Sequence, residues 1–449
     1  MDKTNNTVDL GKGPVGRLLW QYALPAIVGT MVNALYNVAD RIFIGQGVGP
    51  DAISGLALTL PVLTMLQAVG MLIGIGAASR ISISLGQKNK LHAEKILGNA
   101  LTLTFITQLV VIAAGMFFME PMLRAFGGSD NTIPYAQRFL TILIPGNILA
   151  ALSFGFNNVM RASGYPRKAM YTMLIGAVLN VILDPIFIFG FDMGIEGAAI
   201  ATLISMAVTT VWVMSHFMKK EAYLRFRKGY CRLNRLVVGS IISIGMSPFL
   251  MQVAASIVNV IVNTSLKTHG GDSAIGAFGI INSFMLLLMM FIIGLNQGMQ
   301  PIVGYNYGAK LYDRVLKTLK YGMGMASVVA VAGTMGGFFF PELIARAFTR
   351  DAELIRFTAD GLKITLSAFF VVGFQAVATN FFQSIGMASR AIFLSLTRQF
   401  IFLIPALLIL PRYFGLNGVW AALPVSDLLS AMLTGCFLFL YIRKIIKMT

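Results

Sequence analysis

Residues 168–190 read KAMYTMLIGAVLNVILDPIFIFG, a run of 23 residues with one charged side chain, Asp184, beyond its first position. The hydrocarbon core of a bilayer is about 30 Å thick and takes roughly 20 apolar residues in an α-helix, so this run is long enough to cross a membrane. It is continuous rather than an alternation of polar and apolar residues, which excludes a strand of a membrane β-barrel. The stretch therefore predicts a transmembrane helix.

Eleven further runs of this kind lie along the chain, which predicts twelve membrane spans. The approximate bounds of all twelve are 16–44, 52–78, 94–119, 133–160, 168–190, 195–217, 236–264, 274–301, 315–340, 354–384, 391–411 and 417–442. Of the 449 residues, 57% are hydrophobic and only 12% are charged. Soluble domains carry about 25% charged residues, so a water-soluble enzyme is excluded. The predicted fold class is an all-α polytopic membrane protein.

The basic residues indicate how the chain is oriented. Lys and Arg number 35 against 18 Asp and Glu, a net charge of +17. Of these 35, 26 fall on the N-terminus, the C-terminus and alternate connections, including Arg161, Arg390 and Arg398. The positive-inside rule then predicts cytoplasmic termini and an even number of spans in the inner (plasma) membrane. The positive charge is an orientation signal, so we expect no nucleic-acid partner. We also expect a monomer in the lipid bilayer, with no catalytic residue and no cofactor.

Short motifs recur at an offset of 221–223 residues, which indicates an internal repeat. The matched pairs are Pro25 with Pro248, Ile53–Gly55 with Ala274–Gly276, Ser84–Lys88 with Asn306–Lys310, Asn158–Gly164 with Asn380–Gly386, and Gly194–Gly197 with Gly415–Gly418. We therefore expect two parallel six-helix lobes related by a pseudo-two-fold axis along the membrane normal. They are an N-lobe (1–217), a basic linker (218–235) and a C-lobe (236–449). Lobes of this kind enclose a cavity, and their rocking gives a transporter alternating access.

Charged side chains inside a membrane are costly, and they are functional candidates for that reason. Three carboxylates fall well within the predicted spans, namely Asp40, Asp184 and Asp427. The polar residues of helix 1 share one face with Asp40; they are Asn33, Tyr36 and Asn37. This face is expected to line a cavity or a partner helix, either as a functional site or as a structural hydrogen-bond network.

Asp184 is followed by Pro185 and preceded, one helical turn earlier, by Asn180. Proline removes a backbone N–H, so the carbonyl of Val181 is freed beside the carboxylate and the amide. Such oxygens suit a small cation, and the carboxylate could instead take a proton. A proline-kink motif satisfied by neighbouring helices is the alternative. Asp427 in helix 12 is either a second proton site or a structural partner for a Ser or Asn.

The helix 5 motif Asn180-x-x-x-Asp184-Pro185, the helix 1 Asp40 and the start of helix 6 (Gly194–Thr202) together resemble the multidrug and toxic compound extrusion (MATE) family. The likeness extends over essentially the whole chain, and it is strongest to the prokaryotic DinF-like and MepA-like exporters. The resemblance implies a secondary active efflux antiporter. Such a protein exports amphipathic, often cationic drugs in exchange for H⁺ or Na⁺ by rocker-switch alternating access.

The resemblance also implies the site residues. The cation-coupling set is Asp40, Asn157, Asn180, Asp184 and Thr202, with Na⁺ conceivable at Asp40, Asn180 and Asp184. Some members carry further acids in helices 7 and 10, where this chain has the neutral Gln252 and Gln375, so coupling is expected in the N-lobe alone. Because methionine repacks around varied ligands, the candidate drug contacts are Met31, Met251, Met285 and Met289, with Tyr36 beside them.

Three other readings compete with the antiporter. A lipid-linked precursor flippase of the same superfamily shares the parallel-lobe plan, but it commonly has a basic cavity, whereas the helix 1 face here is neutral or acidic. A major-facilitator transporter commonly has an acidic residue in the helix 2–3 loop, and residues 84–90 (SLGQKNK) have none. A membrane scaffold or receptor would not need buried carboxylates confined to one lobe.

Overall fold

The computed structural model describes residues 10–48 and 50–447. It is 87% helical, and the described residues contain no strand. Residues 1–9, Gly49 and the last two residues lie outside this description, and with them Lys3 of the predicted cytoplasmic set. The all-α fold class is therefore confirmed.

Among the described residues, eleven helices are long and apolar enough to cross a membrane, and a bent pair taken as one span makes twelve. They are α1 (Val15–Gly47), α2 (Pro50–Gly86), α3 (Lys90–Phe117), α4 (Ile133–Ala162), α5 (Pro166–Pro185, continued by a π-helical turn Ile186–Gly190), α6 (Gly194–Met218), α7 (Arg235–Gly271), α8 (Ser273–Gly308), α9 (Tyr312–Phe339), α10 (Ala352–Thr365 with Phe370–Ser384), α11 (Ala388–Phe414, π-helical over Thr397–Leu403) and α12 (Leu416–Ile446). Short helices Met119–Ala125 and Pro341–Arg346 occupy matching places in the two halves.

The helices differ from the predicted spans in two respects. First, α2 reaches Gly86 and α8 reaches Gly308, beyond the predicted ends at residues 78 and 301, and these two ends pack on one another. Second, α10 bends by 56° between its two segments, which hydropathy alone does not register. The order and number of spans agree with the prediction when the bent pair is taken as one.

The two halves repeat the same rare backbone conformations. Lys88 and Lys310 each have φ of 60°, a left-handed conformation that is uncommon for a residue with a side chain. Gly194 and Gly415 each have φ of 55°, and all four residues follow the predicted repeat offset. Matched outliers of this kind show that both halves turn their connections in the same way.

Close packing joins the halves on the side where α1 begins and α12 ends, which we call the terminal side. A Cβ atom at Gly298 of α8 would meet the backbone of Ala23 in α1. In the same way, a Cβ at Gly245 of α7 would overlap the carbonyl of Leu72 in α2. Glycine at these positions lets helix backbones approach each other directly. The terminal side is therefore closed between the halves.

Helix α1 packs against both halves of the chain. Its first turns contribute Leu19 and Ala23 to a buried cluster with residues of α8, and Thr30 Oγ1 donates to the Met290 carbonyl at 3.1 Å. At its other end, Ile44 packs with Ile188 and other residues of α5 and α6. A single helix thus touches the core of the second half at one end and that of the first half at the other.

The connection between the halves, residues 219–234, is docked on α3. The Asn99 amide donates to the Tyr230 carbonyl at 3.0 Å. The carboxylate of Glu94, fully buried, forms an ion pair with Arg227. The predicted basic linker is therefore held against the first half by specific contacts.

Candidate functional site

Helix α5 places two of the predicted polar residues at one buried point. Asp184 is fully buried, and Asn180, one turn earlier, is 2% exposed. The Asn180 amide nitrogen donates to Asp184 Oδ1 and to Thr202 Oγ1 of α6, at 3.2 Å each. The structure thus brings three of the five predicted coupling residues into direct contact. The chain continues from Pro185 into a π-helical turn, a local geometry that is frequent at functional sites.

Asp40 reaches this point from α1. Its carboxyl group lies next to that of Asp184, within the range of a hydrogen bond between the two acids. The end of α1 is held there by Ile44, which packs on Ile188. Two carboxylates this close in a buried place repel each other unless a proton or another cation lies between them. The pair could therefore hold one positive charge.

Two oxygen atoms at this site have no donor. Asn180 Oδ1 and Asp184 Oδ2 are both buried and accept no hydrogen bond from the described residues. Buried acceptors are normally satisfied, so each such atom calls for a proton, a water molecule or an ion. Carboxylate, amide and hydroxyl oxygens are hard ligands suited to a small cation. Asp40, Asp184, Asn180 and Thr202 could together hold one.

The polar face of α1 divides between this site and the surface. The Tyr36 hydroxyl lies close to both Asp40 and Asp184 and is hydrogen-bonded to the Asn37 side chain. Asn37 itself is exposed, and its amide also donates to the Asn33 carbonyl at 2.6 Å. Tyr36 therefore belongs to the site, whereas Asn33 and Asn37 form its outer edge.

The structure does not bring Asn157 to the other coupling residues. Its amide donates to the carbonyl of Ala169 at 2.7 Å, in the first turn of α5. Asn180 lies 11 residues further along α5, about 16 Å along the helix axis. Asn157 Oδ1 instead accepts from Arg161 at 2.9 Å.

Arg161 is a buried residue that the sequence analysis assigned to a loop. It ends α4, is 2% exposed, and donates to Gln297 of α8 at 2.7 Å as well as to Asn157 and Asn158. The sequence does hold a signal, because Asn157 and Asn158 stand four and three residues before Arg161 and so share its helix face. Arg161 thus joins the two halves on the terminal side through neutral acceptors.

Asp427 has a partner that neither sequence-based alternative named. Arg398 Nε donates to Asp427 Oδ1 at 2.6 Å, and Asp427 is 1% exposed. The inclusion of Arg398 among the connections was wrong, since it lies inside α11, within the predicted span 391–411. Gln375, also buried, donates to the Ser430 hydroxyl one turn from Asp427.

The four candidate methionines fall into two pairs. Met31 and Met251 are exposed, at 39% and 41%. Met285 and Met289 of α8 are half-buried against the hydrophobic core of the second half. The two exposed side chains are accessible to a ligand, and the other two have one side free at most.

Comparison with known proteins gives consistent matches. The profile of the MatE family matches this chain twice, over residues 25–186 and 247–408. The multidrug export protein MepA of Staphylococcus aureus is 28% identical over 424 residues, which are 94% of this chain and 93% of that protein. The multidrug export protein MepA of Staphylococcus haemolyticus is 26% identical over 93% of this chain and 92% of its own length.

A solved structure is also similar over the whole chain. It is the outward-facing conformation of a multidrug resistance MATE family transporter of the MOP superfamily, with a TM-score of 0.93 and 24% identity, over 99% of this chain and 100% of that one. At this identity the likeness concerns the fold. The two profile matches cover most of the chain, one in each half, and their starts are 222 residues apart, as the motif repeat predicts. The protein is therefore a multi-pass membrane protein that belongs to the MatE family.

Proposed function

We propose that this protein is a secondary active multidrug efflux antiporter, not an enzyme, that exports amphipathic and often cationic drugs in exchange for H⁺ or Na⁺. The observation that carries the proposal is the contact between Asp40 of α1 and Asp184 of α5. Export of drugs by MepA of S. aureus, which is similar along nearly its whole length, supports the substrate class.

The coupling ion acts as a co-substrate that neutralises the carboxyl pair. With the site empty, the two negative charges repel and favour separation of α1 from α5. With a proton or Na⁺ bound, Asp40 and Asp184 are drawn together, and Asn180 and Thr202 supply further oxygens. A ligand shifts a conformational equilibrium only by binding one state better than the other. A cation held between Asp40 and Asp184 meets this condition, because the two carboxylates lie on different helices and can share the cation only in the state that brings them together.

Helix α1 offers a route from the site to the contact between the halves. Its far end carries Asp40, and its first turns pack against α8 at Gly298. Moving α1 at Asp40 therefore alters the terminal-side contact, which must open for drug to enter from that side. We propose rocking of lobes 1–217 and 236–449, with residues 218–235 as their connection and α1 as the element shared between them.

The remaining assignments follow from the same proposal. The terminal side, which holds most of the basic residues, faces the cytoplasm, and the protein works as a monomer in the plasma membrane. Met31 and Met251 contact the drug directly, and Met285 and Met289 support them. Asn33, Tyr36 and Asn37 form the polar edge through which the ion reaches Asp40.

Drug efflux from proteoliposomes tests the proposal, with a pH gradient or a Na⁺ gradient imposed alone. Asp40→Asn and Asp184→Asn should each abolish gradient-driven efflux, because each leaves a single carboxylate and so removes the charge repulsion that the coupling cation relieves. Asp192→Asn is the matched control, since Asp192 is exposed and its φ of 54° suits asparagine. Full gradient-driven efflux by both site variants would refute coupling at this pair. Stimulation by lipid-linked precursors instead of drugs would favour the flippase alternative.

A further inference from the structure

A cavity of about 230 Å³ lies on the terminal side, between α2 and α3 of the first half and the start of α7 of the second. It is distinct from the Asp40–Asp184 site, which is at the opposite ends of the helices. Its lining includes Arg80, Ser84, Gln87, His92, Leu236 and Ser240.

The lining of this cavity is basic. Arg80 and His92 line it, and the lining includes no acidic residue. The described hydrogen bond of the Arg80 guanidinium is a long one, 3.5 Å from Nε to the Ser240 carbonyl, although the group has five N–H donors. The acid nearest along α3, Glu94, is taken up by Arg227. Within the part of the chain that the structure describes, the donors of this cavity lack a negative partner.

The repeat shows what the equivalent place in the second half holds. One repeat offset after Ser84 and His92 stand Asn306 and Arg314. The Asn306 amide donates to the Leu10 carbonyl at 3.0 Å, and Arg314 donates to the carbonyls of Leu10 at 3.0 Å and Gly13 at 2.7 Å. The chain segment before α1 thus supplies the oxygen acceptors there.

In the first half, the described residues supply one such oxygen, the Ser240 carbonyl, and it lies 3.5 Å from Arg80 Nε. The side chains of Ser84 and His92 make no hydrogen bond with the described residues, and the space beside them is open. The same fold position is therefore filled by acceptor oxygens in one half and left as a donor-lined cavity in the other. An acceptor from outside the chain would complete the first half as Leu10 and Gly13 complete the second.

We propose that this cavity binds a phosphate oxyanion, carried by an anionic phospholipid headgroup or free in solution. Phosphate offers several strong acceptors to the guanidinium of Arg80, and charge-assisted hydrogen bonds of this kind are the strong ones. Leu236 at the rim is 83% exposed and Leu91 is 54% exposed, so an acyl chain has apolar surface beside the headgroup. A bound oxyanion joins α2 to α7 and stabilises the closed terminal side. The inference does not depend on drug export.

Thermal unfolding of the full-length protein in neutral detergent tests the site. One arm adds phosphatidylglycerol, with phosphatidylcholine as the neutral lipid. The other adds sodium phosphate against sodium chloride of equal ionic strength. Binding to the folded protein raises Tm, by about 2 °C or more near saturation. A response to phosphate alone identifies a free oxyanion as sufficient, and a response to phosphatidylglycerol only identifies the lipid headgroup.

Variants test whether the rise in Tm is caused by binding in this cavity. Arg80→Gln and His92→Gln should each weaken the apparent Kd about tenfold, because each loses a charge-assisted bond. Gln87→Glu places a carboxylate in the cavity, so it should raise basal Tm and abolish the response. Lys317→Gln is the matched control, an equal loss of charge at an exposed position of α9. If Arg80→Gln does not fold, His92→Gln and Gln87→Glu make the same comparison. No response of the wild-type protein, or equal responses in the cavity variants and Lys317→Gln, would overturn the proposal.

Discussion

Asn180 and Thr202 face each other across the contact of α5 with α6, with the amide nitrogen of Asn180 3.2 Å from the Thr202 hydroxyl. The same nitrogen donates to Asp184 at 3.2 Å. Both N–H groups of the amide are therefore used, which fixes the side chain and turns its oxygen away from these partners. That oxygen is one of the two buried acceptors without a donor. The Thr202 hydroxyl is thus a determinant of where the Asn180 oxygen points.

Thr202→Val removes this determinant while it keeps the shape of the side chain. We expect the half-saturating concentration of the driving cation to rise about tenfold, because an unpaired buried N–H costs roughly 1–3 kcal/mol and lets Asn180 rotate. Efflux at increasing proton or Na⁺ concentration measures this change. Thr209→Val is the control, since the Thr209 hydroxyl bonds only to carbonyls of its own helix. Identical cation dependence in wild type and Thr202→Val would contradict the assignment.

The contact between Gly245 and Leu72 predicts a steric effect on the closed terminal side. In Gly245→Ala, the new Cβ would overlap the Leu72 carbonyl, so α2 and α7 must move apart. We expect at least a roughly tenfold loss of transport and a lower Tm, since overpacking costs about 1–3 kcal/mol. Gly239→Ala, on the same helix with no atom within 4 Å of its Cβ, should instead stabilise the protein slightly. Equal transport and equal Tm of the two variants would show that the halves do not rely on the close approach of Gly245 to Leu72.

The ion pair of Arg398 with Asp427 predicts that substitutions at these two residues have strongly non-additive effects on stability. Asp427→Asn or Arg398→Gln leaves one charge in the helix bundle without its partner, and each should destabilise the protein by about 3–5 kcal/mol. The double variant Arg398→Met/Asp427→Leu should be more stable than either single variant, because apolar residues often replace a buried pair without loss. Thermal unfolding in detergent measures the cycle. The exposed pair Arg346–Glu342 is the control, and Glu342→Gln should change stability by less than about 1 kcal/mol. Additive single effects in α11 and α12 would argue against a coupled pair.

Hydropathy predicted the twelve spans because the membrane imposes length and composition on each helix separately. It could not predict the bend of α10, because residues 365–370 contain neither proline nor glycine. Leu366, Phe369 and Val372 around the bend are buried in the core of the second half, and the hydropathy of one segment does not contain such contacts. The extension of α2 and α8 past their predicted ends escaped prediction for the same reason, as these ends pack on each other.

Contacts of the candidate site between residues close in sequence could be predicted, whereas contacts between distant residues could not be predicted from spacing. Asn180 and Asp184 are one turn apart, so helix geometry alone placed them on one face. The approach of Asp40 links residues 144 positions apart, and it followed from the family resemblance rather than from spacing. The sequence around Asn157 does not indicate that this residue lies far from Asn180. The partnership of Arg398 with Asp427 was missed because an arginine inside a span looks like a loop until its counter-charge is located.

The packing of α1 on α8 also has a consequence for biosynthesis. Leu19 and Ala23 leave the ribosome early, yet the residues that bury them, such as Met299 and Phe381, are translated more than 250 residues later. Helix α1 therefore waits, without part of its final neighbours, until the later helices that bury it have been made. A truncated first half would expose this apolar surface to lipid or to another chain. The order of synthesis thus delays the packing of α1 until helices translated much later have been inserted.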